Sequence, residues 1–229
     1  MPRRPQDHQY EPHEMSLPTW DPLRQQSSEA MEKFRAYADF LLAWNHRVNL
    51  VSRRASADDM WTHVVHCLAL TCRSFPNGST VVDWGTGGGL PAIPLAIAFP
   101  KVAFHAVDAV EKKILAVQAM ARALDLDNLT AHHARAEVWS AEAQYSVSRA
   151  TAPLRVLAAW HLGLRRDLAT HESGLDWAMG LHCLKGGDLE GEILDCRRAY
   201  PQAEISIRSL LDDLGCAGFQ QKAIVSVLF

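Results

Sequence analysis

The spacing of apolar residues changes once along the chain, near residue 80. Before that point it is helical. Phe34, Tyr37, Ala38, Leu41 and Leu42 share one face of a helix starting near Glu29, with Ser27 or Ser28 as its cap. Met60, Val64, Val65, Leu68 and Leu70 do the same for a second helix over Asp58–Arg73. After Thr80, short apolar runs alternate with helical stretches. The runs Thr80–Trp84, Val102–Val107, Leu129–His133, Tyr145–Ser148 and Ala178–Leu184 predict five strands, and Glu204–Ile207 and Ala223–Leu228 predict two more that close the sheet. Helices are expected over Leu90–Phe99, Glu111–Leu124, Pro153 to about Leu168, and Asp188–Ala199.

Strands separated by helices require right-handed crossovers, so the expected fold is α/β, with a seven-stranded, mostly parallel sheet. Ligands of such sheets bind beyond the carboxyl ends of the strands, just after Trp84, Val107, His133, Ser148 and Leu184. Residues 28–229 read as one domain, with a helical amino-terminal extension over 28–75 and a Rossmann-like core over 80–229. Residues 1–27 carry five prolines among polar residues and read as a flexible tail.

Composition narrows the class only a little. The chain has 229 residues, of which 48% are hydrophobic, enough for one domain of this kind. No apolar run is long enough to span a membrane, and Met1–Pro22 lacks the apolar centre of a signal peptide. A soluble cytoplasmic protein is expected, and a monomer. The five cysteines form no CxxC pair, which argues against a disulfide framework and a zinc knuckle. His63 and His66 share a helical face but lack further metal ligands, so no metal is expected. The net charge of -3 does not advertise nucleic acid, although a local basic face could still bind it.

The chemistry concentrates in Asp83-Trp84-Gly85-Thr86-Gly87-Gly88-Gly89-Leu90, directly after the first core strand. Glycine lets backbone turn sharply and approach a ligand, and the helix start beyond offers free N–H groups. A dinucleotide fingerprint wants a sixth-position glycine where Leu90 stands. Asp83 would repel a pyrophosphate but suits an ammonium group. The loop Gly85, Gly87, Gly89 and Leu90 with Asp83 therefore favours S-adenosylmethionine. Asp108 ends the second strand about twenty residues further on, where a carboxylate can accept both ribose hydroxyls. Ala136 and Glu137 follow the third strand, in position to read an adenine edge.

The acceptor is marked by what is missing. Methylation at C5 of a pyrimidine needs a cysteine nucleophile, and no cysteine lies between Cys72 and Cys183. The fourth strand ends Ser148-Arg149-Ala150-Thr151-Ala152-Pro153-Leu154, without the acidic or Asn residue before Pro-Pro that accompanies exocyclic amine methylation. An acceptor with its own lone pair, such as guanine N7, needs neither, because alignment suffices.

Several blocks together resemble the GidB family of bacterial 16S rRNA guanine-N7 methyltransferases. They are Trp44–Leu50, His63–Ala69, Asp83–Ala96, Ala134–Glu137, Ser148–Leu154 and Leu184–Gly187, in that order. The resemblance runs from about Phe40 to Phe229. It implies a class I methyltransferase fold, S-adenosylmethionine as methyl donor, and 16S rRNA or the small ribosomal subunit as partner. It carries Gly85, Leu90, Ala136 and Glu137 over as donor contacts, Arg149 as a residue at the donor and acceptor site, and Lys185 as one near the RNA face. Three departures stand out. Thr62 replaces an arginine, Ala92 replaces a glycine, and the loop Ala169–Asp176 is longer.

Arg149 has independent support, since a guanidinium at a strand end can clamp a phosphate or stack on a base. A salt bridge to Asp83 or Asp108 is its alternative use. Arg53, Arg54, Arg149 and Lys185 would rim one mouth and meet RNA phosphates. Arg47, Lys112, Lys113, Arg165 and Arg166 read equally well as a solvated surface. Other readings stay open on these residues: the same fold with another acceptor, a donor-binding module without catalysis, and a nicotinamide dehydrogenase, which Leu90 and Asp83 disfavour.

Overall fold

The computed structural model describes residues 21–164, 176–216 and 218–229. Most of the expected tail, the pair Arg165 and Arg166, and nearly all of the loop 169–176 lie outside the described residues.

Helix α1 spans Ser28–Asn45, and Ser27 caps it by accepting the Ala30 N–H. Helix α2 spans Ala57–Leu68 behind a capping box, in which Ser56 and Asp59 exchange hydrogen bonds. It stops five residues short of the expected end. A 3₁₀ turn over Ala69–Cys72 follows, and the Thr71 hydroxyl donates to the Leu68 carbonyl, taking over an acceptor that another helical turn would have used.

Strands β1 (Thr80–Trp84), β2 (Ala103–Asp108), β3 (Leu129–His133), β4 (Tyr145–Arg149), β5 (Gly180–Gly186), β6 (Glu204–Ser209) and β7 (Lys222–Leu228) form one sheet in the order β3-β2-β1-β4-β5-β7-β6. The first five strands are parallel, while β7 is antiparallel to both β5 and β6. Helices α3 (Ala92–Ala98), α4 (Glu111–Ala123), α5 (Leu154–Leu162) and α6 (Glu190–Ala199) follow β1, β2, β4 and β5, while β6 and β7 follow one another without a helix and pair as antiparallel neighbours. Helix α5 ends at Gly163 and not near Leu168.

Two apolar layers hold the helices on. Helices α1 to α4 bury Phe34, Leu41, Met60, Ile93 and Met120 against Val81, Phe104 and Val147 on one face of the sheet. On the other face, Leu157 and Ile193 of α5 and α6 pack on Trp84, Cys183 and Val225. Between β3 and β4 the chain makes only a turn over residues 136–138, so the carboxyl ends of β1 to β3 stay accessible there. No helix among the described residues is long and apolar enough to cross a membrane.

Candidate active site

A cavity of about 610 Å³ opens at the switch in strand order between β1 and β4, beyond the carboxyl ends of β1, β2, β3 and β4. Its floor is the glycine loop, with Gly85, Thr86, Gly87, Gly88 and Leu90 exposed to it. Asp108 and Lys113 come from the second crossover, Ala134 to Glu137 from the third strand, and Arg149, Ala150 and Thr151 from the fourth. Leu50, Val51, Ser52 and His63 of the helical extension complete the wall, with Trp160 of α5.

The loop is fastened from below at several points. The Asp83 carboxylate accepts the Thr86 hydroxyl at 2.6 Å and the Ala92 N–H at 3.1 Å. Tyr37 of α1 donates to the Gly88 carbonyl at 2.9 Å. Asp108 accepts the Gly87 N–H at 3.0 Å through one oxygen and the Val110 N–H at 2.8 Å through the other. Gly85 adopts φ +66°, and a Cβ there would lie 2.0 Å from the Thr151 Cγ2. The Thr151 hydroxyl uses that closeness to donate to the Gly85 carbonyl at 3.0 Å.

These contacts separate residues the sequence had grouped together. Gly85, Gly87, Leu90, Asp108, Ala136, Glu137 and Arg149 do share the cavity. Asp83 and Gly89 do not line it. Asp83 is fully buried beneath the loop, where its carboxylate anchors Thr86 and Ala92. Gly89 leaves room for Ile93, which an added Cβ would meet at 2.5 Å. Arg53 and Arg54 are exposed, one to two residues beyond Ser52 on the rim.

Lys185 departs furthest from expectation. Its side chain is about 10% exposed and its ammonium donates to the Ala152 carbonyl at 2.7 Å and to Glu192 at 2.5 Å. A cation tied this way does not present itself to a phosphate. The segment Leu50–Ser52, His63, Thr151 and Trp160 were not recognised in the sequence as cavity residues. Leu50, His63 and Thr151 carried a signal, as parts of the Trp44–Leu50, His63–Ala69 and Ser148–Leu154 blocks.

Electrostatics beneath the loop centre on Arg149. Its Nη1 is buried without a hydrogen-bond partner, and neither Asp83 nor Asp108 forms a salt bridge with it among the described residues. Its charge is felt on the extension as well as on Asp83. Burial first and Arg149 second push His63 down to about 4 and His66 down to about 3, which makes both neutral at pH 7. Burial also lifts Cys67 to about 12, with Arg149 opposing. Asp83 is pushed up to about 7 by burial, against the hydrogen bonds from Thr86 and Ala92 and the pull of Arg149. No group of three metal-ligating side chains occurs among the described residues.

Residues 30–170, more than half of the chain, match the family described as rRNA small subunit methyltransferase G, or GidB. The chain belongs to the rRNA small subunit methyltransferase G family. The relative of that name from Salinibacter ruber is 47% identical over 211 residues, 91% of this chain and 97% of its own. The one from Bacteroides fragilis is 36% identical over 202 residues, 88% of this chain and 94% of its own. The family-matched region reaches back into α1, so the match takes in the helical extension as well as part of the core. Among solved structures, a Pyrococcus horikoshii protein described as a transferase superposes with a TM-score of 0.50 at 12% identity, over 73% of this chain and 62% of that one, a likeness of fold alone.

Proposed function

We propose that this protein transfers a methyl group from S-adenosylmethionine to N7 of a guanosine in 16S rRNA. The observation that carries the donor assignment is the cavity over the glycine loop, closed on its ribose side by Asp108 and on its far side by Ala136 and Glu137. The backbone fits such a donor. A side chain at Gly85 would collide with Thr151 and displace it from the cavity wall, and the Asp108 carboxylate keeps free lone pairs beside its two backbone contacts. When bound, the donor supplies an electrophilic methyl group on a cationic sulfur.

The residues then divide the work. Gly85, Gly87 and Leu90 bring bare backbone to the methionine portion. Asp108 accepts ribose hydroxyls, and the exposed Glu137 carboxylate and Ala136 N–H meet the adenine edge. Arg149, charged and only part-exposed, orients donor and acceptor from the end of β4. The guanine ring nitrogen brings its own lone pair, so no protein base has to remove a proton before attack. The His63 imidazole, held neutral, adds no positive charge to a site that already takes a cationic donor. Alignment is then the main source of rate.

The test is transfer of labelled methyl from S-adenosylmethionine to purified small-subunit RNA, followed by cleavage chemistry selective for 7-methylguanosine. A single labelled guanosine in 16S rRNA is the expected result. Label on another base, or none while the donor binds tightly, would reject the acceptor assignment.

A further inference from the structure

Lys185 and Glu192 stand outside the donor cavity, yet they hold one of its walls. A single oxygen of Glu192 on α6 accepts the Leu154 N–H at 2.5 Å and the Lys185 ammonium at 2.5 Å. That ammonium, rising from β5, also donates to the Ala152 carbonyl at 2.7 Å. One ion pair therefore grips the wall segment at Ala152 and again at Leu154. The same segment grips the glycine loop from its other end. Thr151 donates to the Gly85 carbonyl at 3.0 Å, and Ser148 donates to the Trp84 carbonyl at 2.9 Å. Between them Ala150 is held at φ +52°, a conformation that an alanine does not keep without restraint on both sides.

The wall faces two cavities. Ala150 and Thr151 line the donor cavity and also a second cavity of about 600 Å³, which Lys185 and Glu192 line from the opposite side. We infer that the Lys185–Glu192 pair is a positioning device that fixes the Arg149–Ala152 wall in register with the glycine loop, and that it is not an RNA contact. The two neighbouring anchors explain which step it serves. The loop itself is held independently by Tyr37, Asp83 and Asp108, so donor binding survives when the pair is broken. What shifts is Arg149 and Thr151 relative to the methyl group, and misplacement of this kind lowers turnover.

The kinetic part of the test rests on the RNA-methylation reading, while a second part does not. Lys185→Met is expected to lower kcat about ten-fold and Glu192→Gln by at least three-fold, with KM for the RNA and Kd for the donor within about two-fold of wild type. The double variant should be no worse than Lys185→Met alone, because both remove one device. Backbone hydrogen exchange at residues 150–154, above all at the Leu154 amide that Glu192 accepts, should quicken in each variant. An RNA contact predicts the opposite pattern: Lys185→Met raises the RNA KM, and Glu192→Gln, which removes a repelling charge, lowers it. That pattern, additive losses, or unchanged exchange at residues 150–154 would each overturn the inference. A wild-type enzyme that never methylates small-subunit RNA would reject the proposed function instead, and the exchange measurement would still decide the positioning.

Discussion

At Gly85 two requirements meet in one residue. The backbone turns with φ +66°, and Thr151 occupies the space a side chain would need. Gly85→Ala is therefore expected to lose donor binding and to cost stability of roughly 1–2 kcal/mol from the left-handed backbone alone. Adding Thr151→Ser removes the methyl carbon that lies closest and should restore part of the affinity. Calorimetric titration with S-adenosylhomocysteine, alongside urea midpoints, checks both, and equal loss in the single and double variants would contradict the steric account. Asp83 makes a separate prediction through pH. Its folded value, about 7, lies above the ordinary carboxylate value of 3.8, so the folded state holds a proton that the unfolded chain releases. The stabilisation from this group is complete below about pH 4 and is lost as pH rises through 7. Asp83→Asn should flatten that decline, whose size is on the order of 4 kcal/mol by the shift alone. Stability curves of both proteins from pH 4 to 8 decide it. The sequence showed that Asp83 and Gly85 matter but not how. Proximity of Thr151, 66 positions away, and complete burial of a carboxylate are tertiary facts that no local spacing encodes.

Among elements, the strands were the most legible. Thr80–Trp84 and Leu129–His133 coincide with β1 and β3, since short apolar runs bounded by polar turns leave little choice of phase. Helix ends were harder. The apolar pattern continues past Leu68 and past Leu162, but a 3₁₀ turn takes over after the first and Gly163 stops the second. The larger omission was the use of the extension. Apolar spacing made α1 a packing helix, and its face does bury Phe34, Tyr37 and Leu41. It could not reveal that the Tyr37 hydroxyl reaches the Gly88 carbonyl, or that Leu41 fills the space beside Gly88, 2.6 Å from where a Cβ would be. Helix α1 thus supports the glycine loop from beneath. Tyr37→Phe leaves a buried carbonyl unpaired and should destabilise the fold by about 1–3 kcal/mol. It should weaken donor affinity as well, because the loop loses one of its anchors. Chemical denaturation and donor titration on the same variant test the link, and a loss of stability with unchanged affinity would confine α1 to packing.

For the whole molecule, the puzzle is how a chain with net charge -3 takes an RNA substrate. Overall attraction cannot supply the affinity, so phosphate contacts have to come from a local group of cations near the cavity. Lys185 is committed to Glu192 and Ala152, and Lys113 stands 3.8 Å from Asp108. The segment Leu50–Ser52 forms the cavity wall and runs directly into Arg53 and Arg54, both exposed. Arg53 is braced by Asn49, which accepts its Nε–H at 2.8 Å and leaves the outer guanidinium nitrogens to face solvent. We propose this pair, together with the exposed Arg135 that lines the cavity itself, as a source of phosphate contacts at the mouth. Each phosphate neutralised adds about 0.7–0.9 to the slope of log affinity against log salt, depending on whether the strand is single or paired. Arg53→Ala combined with Arg54→Ala should lower that slope by up to about twice that amount, raise the RNA KM at moderate salt, and leave donor affinity unchanged. The defect should shrink as salt rises, since the contacts it removes are the ones salt already screens. Methylation rates across a salt series give all of these quantities from one set of reactions. An unchanged slope would move the RNA track to another face of the molecule, and a fall in donor affinity would instead mean that the Leu50–Ser52 wall had collapsed into the cavity.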